Sequence, residues 1–319
     1  MIKDLKENDT IREIFLLDKR EIAVSSKGKK YGKATLSDAS GKLDAFMWDN
    51  FQQLETLKQG SIVEAQGVVT SFNSALQLRL VAIAECTDPN VNLTQLLPAS
   101  EYDINDMLGQ VIDIAKTIQN PWLSKLVHHF YSDPTILKKM KSHPGAAGVH
   151  HAFLGGLLQH TLTVAKLSDS AVKMYPFANR DLVVAVALLH DIGKLQELQS
   201  LPVHGFTVTG ALFTHPIIGQ NMVLSACNAI DGFPSELRDV ICHCILAHHG
   251  ELEWGAAVKP VIVEAYIVHC CDTLDAHAQV FREALTGGNS TLDDIGFTSK
   301  NFVLGTKVTE LTRLYSVDE

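Results

Sequence analysis

Histidine is missing from the first 127 of the 319 residues; all 14 lie between His128 and His277. Imidazole chemistry, whether proton transfer or metal binding, is therefore confined to the later part of the chain. A basic excess is also missing. The net charge is −9, which gives no general attraction for nucleic acid. The acid is uneven: residues 1–90 hold 12 Lys and Arg against 13 Asp and Glu, and the remainder holds 15 against 23. None of the six cysteines has CxxC spacing, which argues against a zinc ribbon. Cys242 and Cys244, and Cys270 and Cys271, lie in apolar helical stretches and read as buried free thiols in a reducing compartment. No apolar run reaches membrane-spanning length without a charge or a glycine break. The start, "MIKDLKENDT", is charged and lacks the apolar segment of a signal peptide, so a cytoplasmic location is expected. No internal repeat and no low-complexity tract is visible.

What is present is ordinary globular material, 46% hydrophobic and 20% charged, in a length that suits two domains. Residues 10–86 read as short strands. "TIREIFLLDKREIAVSS" has a charged break at Asp18–Glu21, and "KGKKYGKATLSD" follows. After an "ASG" turn, "KLDAFMWD" alternates, with Leu43, Ala45 and Met47 on one face and Asp44, Phe46 and Trp48 on the other. "SIVEAQGVVTSF" and "ALQLRLVAI" are two more, the last with Leu76, Leu78 and Leu80 opposite Gln77 and Arg79. "FQQLETLKQG" reads as a short helix between the third and fourth. Three strands, a helix and two strands is the order of an OB-fold barrel. The stretch "LSDASGKLDAFMWD" also resembles the second hairpin of OB domains in nucleic-acid proteins.

"TDPNVNLTQLLPAS" has two prolines and no period, and from Glu101 the period becomes helical. "SEYDINDMLGQVIDIAKTIQN" takes Ser100 as its N-cap and ends before Pro121. Further helical stretches fall around 121–131, 152–175, 181–191, 216–229, 235–249 and 259–286, with Ser235 as another cap and Gly250 closing the fifth. The expected organisation is an OB-fold barrel over residues 1–90, a linker and the start of the first helix over 91–105, and an all-helical domain over 106–319.

Within that helical part, polar residues stand where a core should be apolar. His160 interrupts "GGLLQHTLTVAKL"; His190 and Asp191 end "AVALLHD"; His215 precedes a helix in "FTHPIIG"; His248 and His249 end "CILAHHG"; and Asp272 sits inside "AYIVHCCDTL". Taken singly, His160 reads as a hydrogen-bonded core residue and Asp272 as a cap or salt-bridge partner. The ordered set is different, because a buried carboxylate needs a partner and imidazole with carboxylate suits divalent Mn, Fe or Zn. Two such ions about 3.5–4 Å apart can clamp a phosphodiester and activate a water.

The order H…HD…H…HH…D resembles that of the HD-domain metal-dependent phosphohydrolases, helical bundles that hold metal on such residues. The resemblance implies that His160, His190, Asp191 and Asp272 hold one metal. It implies that His215 and His248, with Asp191 bridging, hold a second; His249 is the alternative to His248. It also implies that Lys194, in "HDIGK", faces the scissile phosphate, which with Asp191 makes the catalytic pair. An OB-fold ahead of "GGLLQHTL", "LLHDIGKL", "HPIIG" and "AHHGELEWG" is similar to the YhaM-type 3′–5′ exoribonucleases over nearly the whole chain. That family implies manganese dependence and release of nucleoside 5′-monophosphates from single-stranded RNA or DNA. The pair His150–His151 sits slightly off the family's pattern, so no substrate contact is assigned to it. His128, His129, His143, His204, His243, His269 and His277 read as surface or packing residues.

On the barrel, Phe46, Trp48, Lys29, Lys30 and Arg79 are the candidate nucleic-acid contacts. The aromatic pair suits base stacking or packing against the helical domain, and Lys27, Lys29 and Lys30 suit phosphate contact or a solvated hairpin tip. Two rivals remain. One is an HD phosphohydrolase of small nucleotides with a regulatory OB domain; the other is a nucleic-acid binder with an inactive HD domain.

Overall fold

The computed structural model describes the chain except residues 74, 89–90, 148–150, 204, 287–291, 293–294 and 315–319. His150 and His204 therefore lie outside the described residues. The structure divides into a first unit, mainly Met1–Ala99, and a second that begins at Ser100. Among the described residues no helix is long and apolar enough to cross a membrane.

The first unit is a closed barrel of β1 (Thr10–Val24), β2 (Lys30–Asp38), β3 (Gly41–Met47), β4 (Ile62–Phe72) and β5 (Ala75–Glu85), with α1 (Gln52–Thr56) between β3 and β4. The strand order is β1-β2-β3-β5-β4, and only the β3–β5 pairing is parallel among those of the barrel. This is the OB-fold, as the strand pattern led us to expect. Alternation explains the core: Leu43, Ala45 and Met47 point inward with Phe15, Leu17, Leu36, Leu54 and Leu78. The charged stretch after Leu17 does not break β1. It is absorbed by a register shift between Leu17 and Lys19, a bulge that bends the strand around the barrel. Leu76 departs from expectation. It is exposed, because it lies near the β4–β5 turn, where it pairs with Ser71 beyond the reach of the core.

The second unit is helical: α2 (Ile104–Lys116), α3 (Pro121–Tyr131), α4 (Pro134–Ser142), α5 (Gly156–Val172), α6 (Arg180–Leu189), α7 (Lys194–Glu197), α8 (Val208–Leu212), α9 (His215–Ala229), α10 (Ser235–Ala247), α11 (Val263–Thr286) and α12 (Leu311–Leu314). Two caps differ from the sequence reading. Asp103, not Ser100, caps α2 by accepting from Asp106 N at 2.8 Å, while the Ser100 hydroxyl donates to Gln159 Oε1 at 2.7 Å. Ser235 is the first residue of α10, and Pro234 holds the cap position. Helix α4 was not expected from its polar run. Its signal is Asp133–Pro134: the Asp133 carboxylate accepts from Thr135 N and Ile136 N, and Pro134 supplies the fixed φ of a first turn. Cysteines 227, 242, 244 and 271 are buried and unpaired, but Cys270 is exposed on α11, since neighbours on a helix point about 100° apart.

Helix α6 is the axis of this unit. Leu182 through Leu189 are all buried, because α2, α3, α5, α10 and α11 pack around it. An axial helix has no solvent face on which to end a polar group. Its C-cap, His190, and the next residue, Asp191, are thus delivered to the middle of the bundle.

Candidate functional site

Asp191 is the centre of the site. It is 3% exposed, and neither carboxylate oxygen has a hydrogen-bond partner of acceptable geometry. Burying an ion in that way costs several kcal/mol on the usual scale unless charge is supplied nearby. Around Oδ2 stand Lys194 Nζ at 2.6 Å, His160 Nε2 at 3.3 Å and His190 Nε2 at 3.5 Å. Around Oδ1 stand His215 Nε2 at 3.3 Å and His248 Nε2 at 3.7 Å. Each oxygen of one carboxylate thus faces a different group of imidazoles.

The first group is completed by Asp272, whose Oδ1 lies 3.1 Å from His160 Nε2 and 4.0 Å from His190 Nε2. The second is completed by His249, whose Nε2 lies 3.1 Å from His215 Nε2. His248 and His249 both belong to it, so the choice between them that the sequence left open does not exclude either by distance. Ligands about 2.1 Å from one ion stand about 3.0 Å apart in octahedral and about 3.4 Å apart in tetrahedral geometry. The separations in both groups fall largely in or just above that range.

The imidazoles are also aimed correctly. His160 Nδ1 donates to Asp275 Oδ2 at 2.6 Å, His190 Nδ1 to Ala187 O at 2.8 Å, and His248 Nδ1 to Ile245 O at 2.6 Å. His215 Nδ1 donates to Glu197 Oε2 at 3.0 Å. An acceptor on Nδ1 puts the proton there and leaves the Nε2 lone pair pointing inward. His160 Nε2 and His190 Nε2 then face each other at 3.2 Å, a position that one proton or one cation satisfies. Buried His248 Nε2 has no hydrogen-bond partner at all. Buried carboxylate oxygens and imidazole Nε2 atoms converging in one place fit a divalent metal centre.

The electrostatics agree. Burial pushes the Asp191 carboxyl up, but Lys194 and His190 outweigh it and hold it well below the usual carboxylate range. Burial opposes the charge on His160 too, yet Asp191, Asp272 and Asp275 raise its pKa well above the ordinary value. His248 is held well below its ordinary value, by burial and then by His249 and His190, so it is a neutral donor. Burial and the nearby His215 bring His249 down to about 4. The carboxylates around His160 therefore favour positive charge at that position, and His248 and His249 are neutral donors.

Glycines permit this convergence. A Cβ on Gly193 would lie 2.2 Å from His215 O and 2.6 Å from Gly219 N, so the "HDIGK" turn can approach the start of α9 only without a side chain. That approach sets Asp191 against His215.

Three residues of the site were given no role in the sequence reading. Asp275 lies three residues after Asp272, on the same face of α11, a spacing that could have marked it. Glu197 ends α7 and also accepts from His215 N at 2.8 Å. His151 donates from Nε2 to Asp275 at 3.0 Å. It is buried at φ +59°, with its carbonyl pressed on Gly156 where no Cβ would fit. Two of the packing histidines also touch the site's backbone: His143 Nε2 donates to Lys194 O at 3.1 Å, and His269 Nδ1 to His248 O at 3.0 Å. A cavity of about 510 Å³ opens on the centre, with Lys194, His215, His249 and Asp272 in its lining.

On the barrel, Trp48 stacks on Tyr31 with centroids 4.6 Å apart, and Phe46 lies 6.2 Å from Tyr31. Trp48 remains exposed. Arg79 is the β5 partner of Phe46 and is exposed beside it. Lys29 is exposed and pairs with Asp49 at 3.3 Å, and Lys30 is exposed at the start of β2. Phe46, Trp48 and Arg79 are thus on one face, with Tyr31 as the member the sequence reading missed.

Comparison with known proteins gives the same two parts. Residues 157–277 match the HD domain family, and residues 16–83 match an OB-fold nucleic acid binding domain family. The 3′-5′ exoribonuclease YhaM of Bacillus licheniformis is 31% identical over 276 residues, which are 86% of this chain and 87% of that protein. YhaM of Bacillus subtilis is 30% identical over 285 residues, 87% of this chain and 88% of that protein. YhaM of Halalkalibacterium halodurans is 29% identical over 283 residues, 87% and 86%. Similarity over 276 residues is longer than either unit, and the HD match at 157–277 spans His160 to Asp275. With that span, the chain belongs to the YhaM family of 3′-5′ exoribonucleases.

Proposed function

We propose that this chain is a cytoplasmic, manganese-dependent 3′–5′ exonuclease. It hydrolyses single-stranded RNA, with single-stranded DNA as a second substrate, to nucleoside 5′-monophosphates. The observation that carries the reading is Asp191, whose two buried oxygens face two separate groups of imidazoles. His160, His190, Asp191 and Asp272 would hold one divalent ion, and His215, His248, His249 and Asp191 a second. When bound, such a pair supplies Lewis acidity and a water of lowered pKa. The chain's own groups do the rest. Asp275, Glu197 and the carbonyls of Ala187 and Ile245 keep Nδ1 of His160, His215, His190 and His248 protonated and their Nε2 turned inward. Lys194 lines the cavity and sets its positive charge beside the phosphoryl oxygens, where charge grows during hydrolysis. The names of the relatives support RNA as substrate.

A hairpin with a labelled 3′ overhang tests this. The enzyme with manganese should shorten the overhang stepwise, stop near the stem and release 5′-monophosphates. Internal fragments at early times, or equal trimming of a blocked 3′ end, would leave endonuclease or mononucleotide chemistry instead.

The barrel's part is grip. Tyr31, Phe46 and Trp48 offer ring faces to successive bases, with Arg79, Lys29 and Lys30 for backbone phosphates. Trp48→Ala should weaken degradation of long strands about tenfold, within the range of one lost stacking contact, and spare a dinucleotide. Equal loss on both substrates would show that Trp48 acts through packing.

A further inference from the structure

The cavity over the metal-binding groups has a second wall with no assigned role. Trp254 and Phe206 line it, 60% and 53% exposed, together with Lys194, His249 and Asp272. Large exposed aromatics beside a polar hydrolytic centre are costly to hydrate and call for a flat apolar ligand.

The indole is held firmly. Trp254 ends the short 3₁₀ turn Leu252–Trp254, only six residues after His248. Gly255 closes the turn at φ +95°, and its position lies against His249, with an added Cβ 3.3 Å from the ring. Glu251, which accepts backbone bonds from Trp254 N and Ala256 N through its carbonyl, is tied by its side chain to Lys259 at 2.5 Å. One side of the indole is backed by His269, with centroids 5.9 Å apart and planes 31° apart, and His269 is itself fixed to His248 O. Ring and candidate metal ligands are thus linked through His269.

We infer that Trp254, with Phe206, is the seat of the 3′-terminal nucleobase and registers the last phosphodiester over the metals. This rests on the exonuclease reading above. A cavity of about 510 Å³ is of a size for one small ligand, not a stretch of strand. Its other side chains give little with which to read a base edge. Glu197 is engaged by His215, which leaves Thr273 and His277 among the lining residues not already assigned to the metals or to a charge partner. Stacking without edge contacts accepts any base, as an exonuclease that works through mixed sequence requires.

Two measurements on the full chain with manganese test the seat. In the first, adenosine 5′-monophosphate is titrated calorimetrically. Trp254→Ala should bind it about tenfold more weakly than the intact chain, and Trp254→Phe should recover most of the loss. No binding to the intact chain, or equal binding by Trp254→Ala, overturns the proposal. In the second, oligonucleotides with an ordinary and an abasic 3′-terminal residue are compared. The intact enzyme should show a KM about tenfold higher for the abasic strand with kcat little changed, and Trp254→Ala should not distinguish the two. Discrimination that survives in Trp254→Ala overturns the seat. An intact enzyme that releases no 5′-monophosphate from any strand defeats the exonuclease reading, and the mononucleotide titration then still decides whether Trp254 binds a base.

Discussion

Asp191→Ala should lower hydrolysis by at least about a thousandfold and reduce bound manganese at both groups together. The magnitude follows from the chemistry proposed: metal stabilisation of the transition state is worth several kcal/mol, and each 1.4 kcal/mol is a factor of ten. The coupling follows from the geometry. Oδ2 faces His160 and His190, while Oδ1 faces His215 and His248, so one substitution removes a ligand from both groups. Asp272→Ala touches only the first group and should leave the second one's affinity closer to normal. Metal content measured by elemental analysis, beside circular dichroism to show that both variants fold, separates the cases. Near-normal turnover in Asp191→Ala, or loss of metal from one group alone, would sink the bridging assignment.

Asp275→Ala should weaken metal binding about 10- to 100-fold without removing any ligand, the usual effect of losing the partner of a ligating histidine. Its carboxylate accepts from His160 Nδ1 at 2.6 Å and from His151 Nε2 at 3.0 Å. Burial alone would raise its pKa, but His151 and His160 hold it at about 2, so it is charged whenever the enzyme works. Without it, His160 is free to rotate or to carry its proton on Nε2, the atom that must face the metal. Asp275→Asn keeps an oxygen that can accept from Nδ1 and should recover part of the loss. A chelator-competition titration of manganese reads the effect independently of turnover. Unchanged affinity in a folded Asp275→Ala would show that packing alone orients His160.

Much of this was open to sequence reasoning, for identifiable reasons. Strand alternation in "KLDAFMWD" places Ala45 and Met47 inside whatever the neighbours are, because side chains along a strand alternate by geometry. His160, His190 and Asp272 stood out because each polar group stands in an apolar stretch of sequence, where a buried charge needs a partner. The residues that hold them did not stand out. Asp275 and Glu197 look like surface acids in a linear chain, and His151 like a loop histidine. Only packing shows that they meet His160 and His215 across 115, 18 and, through Asp275, 124 positions of sequence. Tyr31 was passed over for the same reason, since its contact with Trp48 is made between strands. Local pattern determined the barrel, most of the helices and the candidate metal-binding donors, because hydrophobic period and the cost of a buried charge act residue by residue. The tertiary structure alone decided which Nδ1 meets which acceptor, that the two oxygens of Asp191 face different imidazoles, and that Trp254 shares a cavity with His215, His249 and Asp272, because those depend on the close approach of helices that glycines such as Gly193 allow.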